Sequence, residues 1–137
     1  MTKNNAFTKL AASVLLLASQ YSLADDTCTL AENASTDEAK RYIQCLDSEL
    51  ERAKQVQGTW IQKRKYELGQ IEDSTGNTQV LPLFKRSIID HEKYIESSCQ
   101  WRYLLKLPNA TTAAMSYKQC EIQLTHQFTD ILKTPVN

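Results

Sequence analysis

Apolar residues recur every three or four positions in three stretches of the chain, the spacing of amphipathic helices. In the first stretch Tyr42, Cys45, Leu46, Leu50, Ala53, Val56 and Trp60 share one stripe, and the pattern runs on to about Leu68. It starts behind "STDE" at 35–38, a capping box in which Ser35 accepts from a first-turn N–H and Glu38 reaches back. Gly58 lies inside the pattern and costs about 1 kcal/mol relative to alanine. Gly69 reads as the helix stop. The segment 69–82, "GQIEDSTGNTQVLP", shows no periodicity and reads as an exposed loop.

Pro82 fits the first turn of a second helix. Its predicted inner face is Leu81, Phe84, Ile88, Ile95, Cys99 and Tyr103, filled out by Leu104, and it ends near Leu107 because Pro108 follows. A third helix, capped by Thr111 or Thr112, runs to about Leu132 with Tyr117, Cys120, Leu124, Phe128 and Ile131 on one stripe. Pro135 stands in a short tail. No stretch alternates as a strand does. The expected fold is therefore all-α, a small three-helix antiparallel bundle.

The N-terminal residues have a different character. Lys3 and Lys9 flank the start of "LAASVLLLAS" at 10–19, and "SLA" at 22–24 places small residues before "DD". This is the pattern of a secretory signal peptide over 1–24, cut after Ala24, with a single helical domain over 25–137. The apolar run is shorter than the roughly 20 residues a membrane span needs, so no stable membrane insertion is expected after cleavage. Export implies a periplasmic or secreted product. Losing Lys3 and Lys9 leaves 14 of the 16 basic residues against 16 acidic ones, a net charge of −2. That balance argues against a nucleic-acid binder, which should carry a basic stripe.

The four cysteines, Cys28, Cys45, Cys99 and Cys120, all lie in the exported part. An even count in a small exported chain implies disulfides. Cys99 and Cys120 fall about nine residues before and about twelve after the turn at Pro108, at similar heights on neighbouring helices. Cys28 reaches Cys45 if the lead-in folds back along the first helix. The expected pairs are thus Cys28–Cys45 and Cys99–Cys120, with the other two pairings open to a sequence reading. Zinc is disfavoured, since no two cysteines are close and His91 and His126 stand apart.

Chemistry is sparse. No nucleophile elbow, His-Glu-x-x-His or glycine-rich phosphate loop is present, and neither histidine has a triad partner beside it. Both are expected to pack or face solvent, and the chain is read as non-enzymatic and without a cofactor. Trp60 follows the first stripe and is expected in the core. Trp101 lies off the second stripe and is a candidate partner contact, because tryptophan is enriched at interface hot spots. Glu67, Glu72 and Asp73, in and beside the 69–82 loop, are the other candidate contacts.

Three segments carry a family likeness: "YIQCLDSELERA" around Cys45, a later helix with Cys99, and the closing "CEIQLTHQFTDIL" with Cys120, Leu124, Thr125, Gln127 and Leu132. The chain resembles a divergent member of the LprI family of lysozyme inhibitors, exported bacterial proteins. The resemblance implies a protein partner, a lysozyme-type cell-wall hydrolase, blocked by surface contact. An immunity or envelope-complex protein without lysozyme inhibition is the alternative expectation.

Overall fold

The structure, a computed structural model, describes residues 28–136 of the 137-residue chain. The expected signal peptide at 1–24 lies outside the described residues. The fold is the expected three-helix antiparallel bundle: α1 (Thr36–Thr75), α2 (Val80–Leu104) and α3 (Ala110–Lys133). Successive helices reverse, so α1 and α3 run the same way. Both expected disulfides are present, with Cα separations of 5.8 Å for Cys28–Cys45 and 5.5 Å for Cys99–Cys120. Both distances lie within the range a disulfide can bridge. Such bonds form in oxidising compartments. Among the described residues no helix is long and apolar enough to cross a membrane.

α1 starts as its capping box requires. The Ser35 hydroxyl accepts from the Glu38 N–H, and the Glu38 carboxylate accepts from the Ser35 N–H at 2.7 Å. The Ser35 hydroxyl also donates to that carboxylate, and this bond first, with the one from the Ser35 N–H, holds the Glu38 carboxyl below its ordinary pKa more than charge does. The helix does not stop at Gly69, as the sequence reading expected. It runs on to Thr75, because Ile71 and Glu72 continue the covered face beyond Leu68 and packing outweighs the weak helix propensity of one glycine. The true stop is Gly76, which takes the left-handed conformation (φ 72°) and returns its N–H to the Glu72 carbonyl. The expected loop at 69–82 therefore shrinks to 76–79, where Asn77 Oδ1 accepts from the Gln79 N–H.

Pro82 sits in the first turn of α2, as expected. The helix ends at Leu104, three residues earlier than the proline alone implied, and overlapping turns carry the chain from 105 to a cis Leu107–Pro108 bond. Asn109, and neither Thr111 nor Thr112, caps α3: its Oδ1 accepts from the Thr112 N–H at 3.0 Å.

α3 packs against both other helices, and they touch each other less. Its buried face is consequently wider than one stripe and includes Ala113, Met115, Ile122, Thr125, Thr129 and Leu132 as well as Cys120. Ile131, expected on the stripe, is 66% exposed. Against α1, Leu46, Leu50, Met115 and Ile122 form the apolar core. Further along the same seam Gln57 Nε2 donates to the Thr125 carbonyl at 3.2 Å. Two turns on, Arg64 Nε donates to the Leu132 carbonyl at 2.5 Å and its second terminal nitrogen to the Thr134 carbonyl at 2.6 Å. Buried Thr129 satisfies its hydroxyl on the Thr125 carbonyl at 2.8 Å.

Arg64 is a buried cation, 5% exposed. It is stable there because each part of its guanidinium is occupied: two α3 carbonyls that the helix end leaves unpaired, and the Glu67 carboxylate. Replacing it should strand both the carbonyls and Glu67. Arg64→Ala is expected to lower unfolding free energy by about 2 to 4 kcal/mol in urea titrations, while Lys63→Ala next to it, on the exposed face, changes it by less than about 0.5 kcal/mol. Equal effects of the two would contradict the capping role.

Candidate functional site

The residues expected to contact a partner do not form one surface. Glu67 is half-buried and engaged by Arg64 and, at 4.0 Å, by Lys63, so its charge serves the fold. Glu72 and Asp73 lie on the last turns of α1 and not on a loop, with Glu72 partly buried and Asp73 exposed. Trp101 is 21 residues along α2 from Val80, which puts it about 30 Å away, at the opposite end of the bundle.

Trp101 itself is 52% exposed, and the Arg102 guanidinium lies 5.0 Å from the centre of its ring. It does not stand alone. Leu104, Leu105 and Leu107 are also exposed, so "WRYLLKL" at 101–107 forms an apolar end to the molecule. The sequence reading placed Leu104 on the inner face. The structure turns it outward, because the inner face of α2 is centred on Cys99 and α2 ends at Leu104 itself. The other tryptophan, Trp60, is half-buried and not fully in the core, with the Lys63 ammonium 4.6 Å from its ring centre.

What fixes Trp101 in space is Cys99, two residues earlier and fully buried in its bond to Cys120. A tryptophan held this way presents a large apolar area at little cost in ordering, which is the property of an interface anchor. The four cysteines are thereby all committed to structure, and no free thiol is present among the described residues.

A surface groove of about 570 Å³ runs beside the Cys28–Cys45 bond and is lined by Glu38, Arg41, Tyr42 and Ser48 among others. Among the described residues its one acid, Glu38, is bound in the capping box, so no general acid and base of the described residues face each other across it. Among the described residues no three His, Cys, Asp or Glu side chains gather as a metal site would require. His91 packs face to face on Phe128, ring centres 4.1 Å apart, and its Nε2 is buried without a hydrogen-bond partner. Burial lowers the pKa of this ring below the ordinary 6.5, outweighing the opposing pull of the Leu124 backbone and Glu92. His126 is exposed.

No family model, curated protein or solved structure matches the chain. The site is consequently read from its own geometry.

His91 generates a pH dependence. Its folded pKa is depressed, so the unfolded chain takes up the proton more readily. The stability of the neutral stacked ring is complete above the ordinary value of 6.5 and is lost as pH falls through 6.5 towards the lower folded value. Glu38 titrates lower still and leaves this window clear. Urea midpoints measured at about pH 7.5 and about pH 5.5 should fall for the parent protein and change less for His91→Phe, which keeps the stack and removes the proton. An identical fall in both would show that the ring is not the titrating group.

Proposed function

We propose that the chain is an exported bacterial binding protein that blocks a lysozyme-type cell-wall hydrolase by surface contact. The leader-like pattern at 1–24 and the two disulfides support a periplasmic or secreted location. The likeness of the Cys45, Cys99 and Cys120 segments to the LprI family of lysozyme inhibitors supports the class of partner. One observation carries the reading that this is a binding protein: an exposed Trp101 in an apolar end, pinned by a disulfide two residues away.

In this reading Trp101 and its leucine neighbours are the contact, and the Glu72 and Asp73 end is a solvated helix terminus. Burying the indole excludes water from the centre of the interface, where a few residues supply most of the binding energy. Rigidity contributes as well, because a surface already ordered before binding loses little entropy on contact.

The test is a panel of lysozymes assayed with the purified, oxidised protein. Inhibition of at least one member at micromolar excess is expected, weakened on the order of tenfold by Trp101→Ala, a loss of about 1.4 kcal/mol. The same substitution, on an exposed site, should leave the melting temperature unchanged. Inhibition of no member would remove the hydrolase reading. Co-purification with one different envelope protein would then point to the immunity or envelope-complex role.

A further inference from the structure

A second groove, about 440 Å³, lies between α2 and α3 at the same end of the bundle as Trp101. Its walls carry Glu96, Gln100 and Tyr103 from α2, and Tyr117 and Glu121 from α3. The tyrosine rings meet edge to face, 6.5 Å apart at 84°. An edge-to-face pair leaves one ring face open to the groove. We infer that this groove is a receptor for one basic side chain, an arginine or lysine, of the partner protein; the inference rests on the reading above that the chain binds a protein.

The charge arrangement favours a cation. Glu96 is exposed and makes no ion pair with another described residue, so its carboxylate is open to a cation from outside at the groove edge. Glu121 is half-buried and faces Lys54 of α1 only at 4.0 Å. Lys118 also lines the groove, but its ammonium is paired with Asp47 of α1, which is not part of the lining. The charge of this built-in cation is thus already balanced by an acid outside the groove. The field is also visible in the Tyr117 hydroxyl, whose pKa is raised by burial first and by Glu121 and Glu96 after it.

Aromatic faces and carboxylates together recognise a guanidinium or ammonium better than either alone: the rings attract it through their quadrupoles, and the carboxylates accept its N–H groups. A neutral apolar side chain would gain the rings and desolvate the acids without compensation. Gln100 and Leu104 are one turn apart on α2, and Leu104 adjoins Trp101, so the groove borders the apolar contact. A basic residue flanking an apolar patch on the partner would engage both.

The groove can be tested without any hydrolase. The oxidised, ¹⁵N-labelled protein is titrated with acetyl-Gly-Arg-Gly-amide and with the same peptide carrying citrulline, which keeps the shape and removes the charge. The arginine peptide is expected to shift amides within 96–103 and 117–121, and the citrulline peptide to bind on the order of tenfold more weakly. Glu96→Gln, on an exposed site where folding is not at stake, should weaken the arginine peptide several-fold, and Glu96→Gln with Glu121→Gln should weaken it further. Equal binding of the two peptides, shifts mapping elsewhere or no shifts would overturn the groove. Lysozyme inhibition in the absence of peptide binding removes the groove and leaves the hydrolase reading standing; peptide binding without inhibition does the reverse.

Discussion

The bond between Cys99 and Cys120 is the constraint on which the rest of this molecule depends. α2 is 25 residues long, yet Cys99 is its single fully buried side chain. Phe84, Ile88 and Ile95 are only half-covered, while Leu83, Ile89, Tyr94 and Trp101 face outward. A helix with so little burial gains little from the hydrophobic effect. The disulfide compensates by closing the α2–α3 hairpin in the unfolded chain too, a contribution typically of about 2 to 4 kcal/mol. The other contacts of the seam fall on either side of it: His91 on Phe128 at one end, Tyr103 on Tyr117 at the other.

α1 and α3 are joined by different physics. Their seam holds an apolar cluster, then two long-range hydrogen-bonded sites in step, Gln57 with Thr125 and Arg64 with Leu132, each 68 residues apart. That seam buries charge and backbone carbonyls in mutually satisfied groups, and no disulfide joins the two helices. The molecule divides into a self-sufficient pair and a helix stapled to it. The features proposed to meet a partner, Trp101, Leu104 and the Glu96 side of the groove, lie on the stapled helix. A helix that is apolar on several sides but covered on one leaves surface for an external partner.

Much of this architecture was legible in the sequence because it follows from local rules. The Ser35–Glu38 box, Pro82 in a first turn and the stripes at 42–60 and 84–103, apart from Val56, which the structure leaves exposed, depend on neighbours within a turn or two. Cys99–Cys120 followed from helix heights around Pro108, and Cys28–Cys45 from a lead-in folded back along the first helix. The misses are tertiary. Gly69 reads as a stop, but packing around Leu68 carries the helix through, and Gly76 stops it. Thr125 and Thr129 lie off the predicted α3 stripe, yet α3 is buried on two sides and the Thr125 carbonyl satisfies the Thr129 hydroxyl. Arg64 is not among the residues named on the first stripe, and only the arrival of the α3 C-terminus, 68 residues later, gives it a reason to be buried. The apolar end had a visible trace in "WRYLLKL", where five large apolar or aromatic residues fall within seven. The tyrosine–carboxylate groove had none, since its two walls come from different helices and no spacing in one chain segment brings Glu96 to Tyr117.

The dependence of α2 on its staple is tested most directly by hydrogen exchange on the Cys99→Ala/Cys120→Ala double variant, which leaves Cys28–Cys45 intact. Amides of α2 between 84 and 103 should lose protection by at least tenfold, while those of α1 between 46 and 64 keep most of theirs. Protection of α2 equal to that in the parent protein would show that packing alone seats the helix, and would contradict the account.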